Sequence, residues 1–190
     1  NLPGDHYDKI LLGASGRDEQ LDKVCTTIRN MGAAGIPILG YHWMALGVWR
    51  TEISHRGRGG SQITSFDYDQ VKDAPLTELG GISEEQLWES FTYFLEHIIP
   101  LAEQAGVKLA LHPDDPPVPS LGGTARIFRS VEAFKRMIEI VPSECNGIEF
   151  CQGTFTEMGT DVLEAICYFG ARGKILYVHF RNVRGAVPKF

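Results

Sequence analysis

The chain has 190 residues, of which 43% are hydrophobic and 10% aromatic, and its formal net charge at pH 7 is −6. This composition is typical of a globular protein and excludes extensive intrinsic disorder. The negative charge argues against non-specific binding to nucleic acid or to anionic membranes. No apolar stretch is long enough to span a bilayer, and the first residues, NLPGDHYDKI, are too polar for a signal peptide. We therefore expect neither a nucleic-acid nor a membrane partner.

The four cysteines form no CxxC pair and no dense framework of the kind found in disulfide-rich secreted domains. We interpret them as reduced thiols of a cytoplasmic protein. Each one is either a small buried hydrophobic group or a candidate metal ligand. They are Cys25, Cys145, Cys151 and Cys167.

The first third of the chain predicts one helix and one strand. Apolar residues recur every three to four positions over 17–34, which is the spacing of an amphipathic helix that Gly35 would end. The short apolar run at 36–44 is consistent with a buried strand. Residues 50–81 are polar and rich in glycine, and we interpret them as an excursion or lid within one domain.

A second predicted helix begins after Ser83, where the serine and Gln86 have the spacing of a capping box. Pro100 lies inside the helical pattern and is expected to kink the helix or to divide it in two. Gly106 ends the pattern, and a predicted strand runs from there to His112.

The last third continues the alternation of helices and strands. Helices are predicted over 130–141 and from 160 or 161 to 171, and strands over 147–151 and 174–180. Strands separated by helices indicate right-handed βαβ units and a parallel sheet. The predicted fold class is therefore α/β.

Three predicted strands finish on a histidine or a cysteine, namely His112, Cys151 and His179. In parallel α/β folds the carboxyl ends of the strands share one face, and binding sites are built there. A single histidine or cysteine at a strand end is more often structural than a ligand. Three at equivalent positions indicate a partial ligand set for a divalent transition metal. His42 is a fourth candidate on the same face.

The segment HPDDPP that begins at His112 places two carboxylates beside this predicted site. Asp114 or Asp115 could orient a ligating imidazole, bind a substrate hydroxyl or transfer a proton. Aspartate and proline also favour turns, and the two interpretations are compatible.

Several motifs together resemble the mannonate dehydratase family, and the resemblance covers nearly the whole chain. They are HPDDPP at 112–117, LGGTARI at 121–127, EFCQGTF at 149–155 and VHFRNVRG at 178–185, supported by the stretches 16–36 and 41–51. The resemblance implies a (β/α)8 TIM barrel of the xylose-isomerase-like kind. Because a whole barrel needs about 250 residues, we expect residues 1–190 to form one partial catalytic domain with about half of the strands.

The resemblance also implies an activity, the metal-dependent dehydration of D-mannonate to 2-keto-3-deoxy-D-gluconate in hexuronate catabolism. His112, Cys151 and His179 would then be ligands of a divalent metal, most readily Mn2+, with Fe2+, Co2+ or Mg2+ as alternatives. The family's fourth ligand, an aspartate, and its catalytic histidine and tyrosine belong to a later motif that does not occur before Phe190. No catalytic acid or base is therefore assigned, and the 190-residue piece alone is expected to be inactive.

A sugar acid needs a group that binds its carboxylate, and two arginines follow His179. Arg181 is placed for a bidentate contact, whereas a surface salt bridge explains Arg184 equally well. The residues that we predict to contact the substrate are Arg181, Gln152, Asp114, His42, Trp43 and Arg50. We further expect the protein to bind a small-molecule sugar acid and to form a homo-oligomer.

Two other functions remain open from the sequence. A metal-dependent sugar isomerase would use the same scaffold, but with a sphere richer in carboxylates than one containing Cys151. A catalytically incomplete barrel fragment that binds only metal or sugar is the non-enzymatic alternative.

Overall fold

The computed structural model describes residues 1–190 and contains eight strands. In chain order they are β1 (Ile38–His42), β2 (Glu52–Arg56), β3 (Gln62–Ser65), β4 (Lys108–His112), β5 (Ser120–Leu121), β6 (Thr124–Ala125), β7 (Asn146–Cys151) and β8 (Ile175–His179). The strands β1, β4, β7 and β8 form one sheet in that order, and every pair in it is parallel. These are the four strands that the sequence predicts. A parallel sheet with intervening helices confirms the predicted partial (β/α)8 architecture.

Six α-helices accompany the strands: α1 (Asp8–Leu11), α2 (Arg17–Ala33), α3 (Glu84–Ala105), α4 (Val131–Ile140), α5 (Gln152–Glu157) and α6 (Val162–Gly170). Short 3-10 turns lie at Gly4–His6, Arg58–Gly60 and Tyr68–Gln70. None of the helices combines the length and the apolar character that crossing a membrane requires. The short helices α1 and α5 have no counterpart in the predicted elements.

The predicted helix starts are confirmed at their caps. Ser83 and Gln86 form a complete capping box, and the side chains of Ser130 and Asp161 accept hydrogen bonds from the first turns of α4 and α6. Of the two outcomes predicted for Pro100, division of the helix is wrong, because α3 continues through it to Ala105, and the kink stays a prediction. Packing of the apolar face of α3 outweighs the loss of one backbone donor.

The register of the sheet brings the ends of its four strands to the same edge, where β7 extends two residues beyond β4. His42 of β1 is the direct partner of His112 of β4, and Cys151 of β7 is the direct partner of His179 of β8. Since successive side chains of a strand alternate between the two faces, these four residues share one face and one end of the sheet.

The main hydrophobic core lies between the other face of the sheet and the helices, and it contains 32 buried residues. Aromatic rings dominate its centre. Trp43 packs on Phe91 and Phe94 of α3, with ring centroids 5.0 and 5.2 Å apart, and Phe134 of α4 packs on Phe155 of α5 at 5.3 Å. This layer fixes the sheet against the helices and leaves the strand ends free to carry polar groups.

Residues 50–81, predicted as an excursion or lid, contain the antiparallel hairpin β2–β3, which the sequence did not predict. The five residues of β2 are all exposed. The segment is nonetheless attached to the rest of the chain, because Phe66 exchanges two backbone hydrogen bonds with Phe190 and packs with Val118 and Leu121 in a second, small apolar cluster. Its assignment as a lid stays a prediction.

Candidate metal centre

Three strand-end side chains converge as the sequence predicts. One potential ligand atom from each of His112, Cys151 and His179 lies within 4.8 Å of the others. Because β4, β7 and β8 are neighbours in the sheet, residues that are 28 to 67 positions apart in sequence lie side by side at the ends of these strands. We refer to these three residues as the ligand cluster.

The tautomer of His112 is fixed by its surroundings. Its Nδ1 lies 2.7 Å from the carbonyl oxygen of Pro113, which can only accept a hydrogen bond. The proton of the neutral ring is therefore on Nδ1, and Nε2 carries a free lone pair. That Nε2 lies 3.4 Å from Nδ1 of His179, so its lone pair is directed into the ligand cluster.

The cluster has a closed side and an open side. Cys151 is completely buried, and its Sγ accepts a hydrogen bond from the Thr154 hydroxyl at 3.2 Å. His179, by contrast, is exposed. Two imidazoles and a thiolate match the donor preferences of a divalent transition metal. Three protein donors with an open side would leave coordination positions for a further ligand and for substrate, so the residues present fit such an ion.

His42 lies next to the ligand cluster but is not one of its members. Its Nδ1 accepts the backbone N–H of Met44 at 3.3 Å, which places the ring proton on Nε2. Burial, together with the neighbouring His112 and Arg126, lowers the pKa of His42 to about 4. The ring is therefore neutral at physiological pH and presents an N–H donor.

Trp43 does not line the site, and its prediction as a substrate contact is wrong. Only 1% of the residue is exposed, and its ring lies in the aromatic core against Phe91, Phe94 and Tyr7. The physical reason is the alternation of side chains along β1, which turns His42 towards the site and its successor towards the helices.

Gln152 is the first residue of α5 and lies away from the ligand cluster. It follows Cys151 directly and faces an outer apolar cleft together with Phe150 of β7 and Leu163 and Ile166 of α6. This cleft is not the one that borders the Asp115 network, and the role of Gln152 as a substrate contact stays a prediction.

Asp115 is the centre of a second group of charged residues. Its carboxylate accepts two hydrogen bonds from Arg50, at 2.6 and 2.8 Å, and one from Arg181 at 2.7 Å. Burial of Asp115 opposes ionisation, but the two guanidinium groups outweigh it and hold the pKa of the carboxyl below its usual value. Arg50 and Arg181, both predicted as substrate contacts, are thus brought together by a carboxylate of the protein itself.

Glu157 and Arg126 complete this group, and the sequence did not single out either of them. Glu157 is fully buried at the end of α5 and pairs with Nη2 of Arg181. Arg126 is also buried and donates to the backbone carbonyls of Asp115 and Gly47. The Arg181 fork predicted for a substrate carboxylate is therefore occupied by two protein carboxylates. We call Arg50, Asp115, Arg126, Glu157 and Arg181 the Asp115 network.

Asp114, predicted as a substrate contact, is fully buried in the turn after β4. Its Oδ2 accepts the backbone N–H of Phe128 at 2.8 Å, and its own N–H donates to the carbonyl of Phe128. Burial raises the pKa of Asp114 to about 6, although Arg126 opposes the shift. In this structure Asp114 holds the turn in place and has no access to the open side of the ligand cluster.

The Asp115 network borders a cleft of about 1220 Å³ between the β2–β3 hairpin and the segment 181–190. Arg50 and Arg181 belong to its wall, as does the exposed Arg184, which forms no ion pair. The cleft thus presents positive charge on the side of the sheet where the strands end.

The parallel half-barrel and the His/Cys/His set at its strand ends define a class of protein. It is an α/β-barrel protein whose strand ends carry side chains suited to binding a transition metal. Comparison with known proteins narrows this class. The family model for D-mannonate dehydratase (UxuA) matches residues 4–80 and 76–189. The chain belongs to this family, as the motifs indicate.

Individual relatives agree with the family assignment. The mannonate dehydratase of Streptococcus pneumoniae strain 70585 is 34% identical over 203 residues, which covers 93% of this chain and 55% of that protein. The crystal structure of mannonate dehydratase from Streptococcus suis serotype 2 superposes with a TM-score of 0.83 at 37% identity, covering 92% of this chain and 52% of that one. The chain therefore spans about half the length of the relatives it matches.

A more distant structure supports the fold alone. A D-tagatose 3-epimerase-like protein has a TM-score of 0.55 at 15% identity, and the match covers 90% of this chain and 50% of that one. The half-barrel fold thus also occurs in a protein of very different sequence.

Proposed function

We propose that the full-length protein is a metal-dependent lyase that dehydrates D-mannonate to 2-keto-3-deoxy-D-gluconate. The observation that carries the proposal is the convergence of His112, Cys151 and His179 at the carboxyl ends of three neighbouring strands. It is supported by membership of a family whose relatives are named mannonate dehydratase. The pathway we propose is hexuronate catabolism.

The reaction removes one molecule of water. A proton leaves the carbon next to the carboxylate, hydroxide leaves the following carbon, and the resulting enol becomes the keto group of the product. The barriers are the negative charge that develops beside the carboxylate and the poor leaving ability of hydroxide. A divalent metal held by the ligand cluster would supply a Lewis acid for oxygen atoms of the substrate.

The chain's own residues contribute charge and orientation. In the Asp115 network the carboxylates of Asp115 and Glu157 are paired with Arg50 and Arg181, whereas the exposed Arg184 on the wall of the same cleft forms no ion pair. Positive charge at a cleft favours an anionic substrate over a neutral sugar. The neutral His42 ring offers an N–H donor on the same face as the ligand cluster.

We propose Mn2+ as the ion, on the resemblance to the family, with Fe2+, Co2+ and Mg2+ as alternatives. The thiolate of Cys151 makes the hard ion Mg2+ the least suitable of the four. Four free thiols support a cytoplasmic location. A homo-oligomer and a sugar-acid substrate complete the proposal.

The experiment is a substrate panel with the full-length protein, before and after removal of metal by a chelator. We expect D-mannonate to yield a 2-keto-3-deoxy acid, with activity lost on chelation and restored by Mn2+. Neutral aldoses should not react, because they lack the carboxylate. Isomerisation of aldoses without turnover of mannonate would contradict the proposal and favour the sugar isomerase. Binding of sugar acid without turnover would favour the non-catalytic alternative.

A further inference from the structure

Helix α5 begins directly after Cys151 and brings a hydroxyl group onto the sulfur. Thr154, in the first turn of the helix, donates a hydrogen bond from Oγ1 to Sγ of Cys151 at 3.2 Å. Both residues are fully buried, with 0% of either exposed. The contact is therefore shielded from water and cannot be exchanged for a solvent hydrogen bond.

The second threonine of the same helix shows what a helical threonine ordinarily does. The hydroxyl of Thr156 donates to the backbone carbonyl of Gln152 at 2.9 Å, four residues earlier. Thr154 instead directs its hydroxyl to a side chain. The two threonines differ by two positions in one helix, so they form a matched pair with one hydroxyl on the candidate ligand and one on the helix backbone.

A buried sulfur that binds a metal needs such a donor. A metal-bound cysteine is a thiolate, and burying a negative charge is costly unless hydrogen bonds compensate it. A hydrogen bond to an ionised acceptor is stronger than one to a neutral group, so the Thr154 hydroxyl stabilises the metal-bound sulfur more than the free thiol. The same bond restricts the rotation of the Cys151 side chain.

We propose that Thr154 is a positioning residue for the metal: its hydroxyl holds Sγ of Cys151 towards His112 and His179 and stabilises the sulfur as a thiolate ligand. This inference rests on the proposed metal site. It adds to that site a group that neither ligates the ion nor contacts the substrate. Groups that hydrogen-bond to metal ligands commonly contribute about 10- to 100-fold in metal affinity.

The test is titration of the metal-free full-length protein with Co2+, for the parent protein and for Thr154→Val, Thr154→Ser and Thr156→Val. Valine replaces the hydroxyl by a methyl group of similar volume. We expect Thr154→Val to weaken Co2+ binding by about 10- to 100-fold. Its thiolate-to-cobalt absorption band should move to longer wavelength, because the sulfur loses a hydrogen bond that lowers the energy of its lone pairs. Thr154→Ser and Thr156→Val should keep the parent affinity and band position.

The band position separates the inference from a general loss of structure, since unfolding removes the band and does not shift it. If Thr154→Val does not fold, Thr154→Ala carries the same expectation. A Thr154→Val protein with parental affinity and band would overturn the role of Thr154 and leave the metal site intact. A parent protein that binds no Co2+, or binds it without a thiolate band, would overturn the proposed ligand set itself.

Discussion

The ligand cluster and the Asp115 network lie at the same end of the sheet but are built in different ways. The cluster is formed by the last residues of three neighbouring parallel strands, and one side of it is open to solvent. The network is formed by loop and helix residues, and its carboxylates are at most 4% exposed. In the cluster, the donors that we propose for the metal ion have no charged partner from the chain itself. In the network the charges of the chain already compensate one another.

This difference predicts that the two regions respond differently to substitution. Loss of a cluster residue should remove metal at modest cost to the fold, because no charge pair is broken. Loss of a network residue should lower the free energy of unfolding, because it leaves a buried charge without its partner. Each substitution below tests one side of that contrast.

The largest effect is expected for Cys151→Ser. Replacing the thiolate by a hydroxyl removes the soft ligand of the cluster, so metal content should fall to near background. Cys167→Ser is the matched control, because Cys167 is an exposed thiol on α6. Elemental analysis of both purified variants measures their metal content. Equal metal content in Cys151→Ser and Cys167→Ser would remove cysteine from the proposed ligand set.

The next largest effect is expected for Asp115→Ala. The substitution leaves the half-buried guanidinium groups of Arg50 and Arg181 without their shared carboxylate, and breaking such a buried pair costs about 3–5 kcal/mol. Urea denaturation of the full-length protein measures the loss. Asp69→Ala, which breaks an exposed pair with Lys72, should leave the midpoint almost unchanged. Similar midpoints for the two variants would show that the network does not stabilise the fold.

His42, which lies beside the ligand cluster, makes the stability of the folded protein depend on pH. Its pKa is about 4 in the folded protein against 6.5 for the free side chain, chiefly because of burial. The unfolded chain therefore takes up a proton first, and stability present above pH 6.5 is lost as the pH falls towards 4. The difference between a pKa of 6.5 and one of about 4 amounts to about 3.5 kcal/mol, at about 1.4 kcal/mol for each tenfold change in proton affinity, and about 2.5 kcal/mol of it is lost by pH 4.5.

The variant His42→Gln should flatten this part of the stability profile, as measured by urea unfolding at pH 7, 5.5 and 4.5. His97→Gln, at an exposed position on α3, should leave the parental slope in place. A parental slope in His42→Gln would mean that other groups cause the acid sensitivity.

The smallest effect is expected for Arg181→Gln. The change removes the donor to Oε1 of the buried Glu157, while Asp115 keeps Arg50, so a loss of about 1–3 kcal/mol is expected. Arg184→Gln is the control, because Arg184 is exposed and forms no ion pair. Thermal unfolding distinguishes the two variants. If Arg184→Gln is the more destabilising one, the network has been assigned to the wrong arginine.

The parts of the molecule that the sequence predicts are those that follow from regular geometry. Ser83, Ser130 and Asp161 mark helix starts by local hydrogen bonding, and the strand ends at His112 and His179 meet because parallel strands in register share one edge. Each of these predictions depends on neighbours in sequence or on one rule of sheet geometry.

The missed features depend on tertiary placement or on side-chain direction. Asp115 lies 65 and 66 positions from its two arginine partners, so no local pattern indicates the network. Glu157 looks like an ordinary helix residue until α5 packs against the sheet. Trp43 adjoins His42, and its ring turns away from the site into the aromatic core. Applying the alternation of strand side chains at the end of β1 would have corrected this prediction.

The central claim is that His112, Cys151 and His179 hold one metal ion, and locating the ion tests it most directly. We expect a crystal of the full-length protein grown with Mn2+ to show an anomalous difference peak at the manganese edge. The peak should lie within about 2.5 Å of His112 Nε2, Cys151 Sγ and a ring nitrogen of His179. A manganese peak elsewhere, with the three side chains free of metal, would contradict the account.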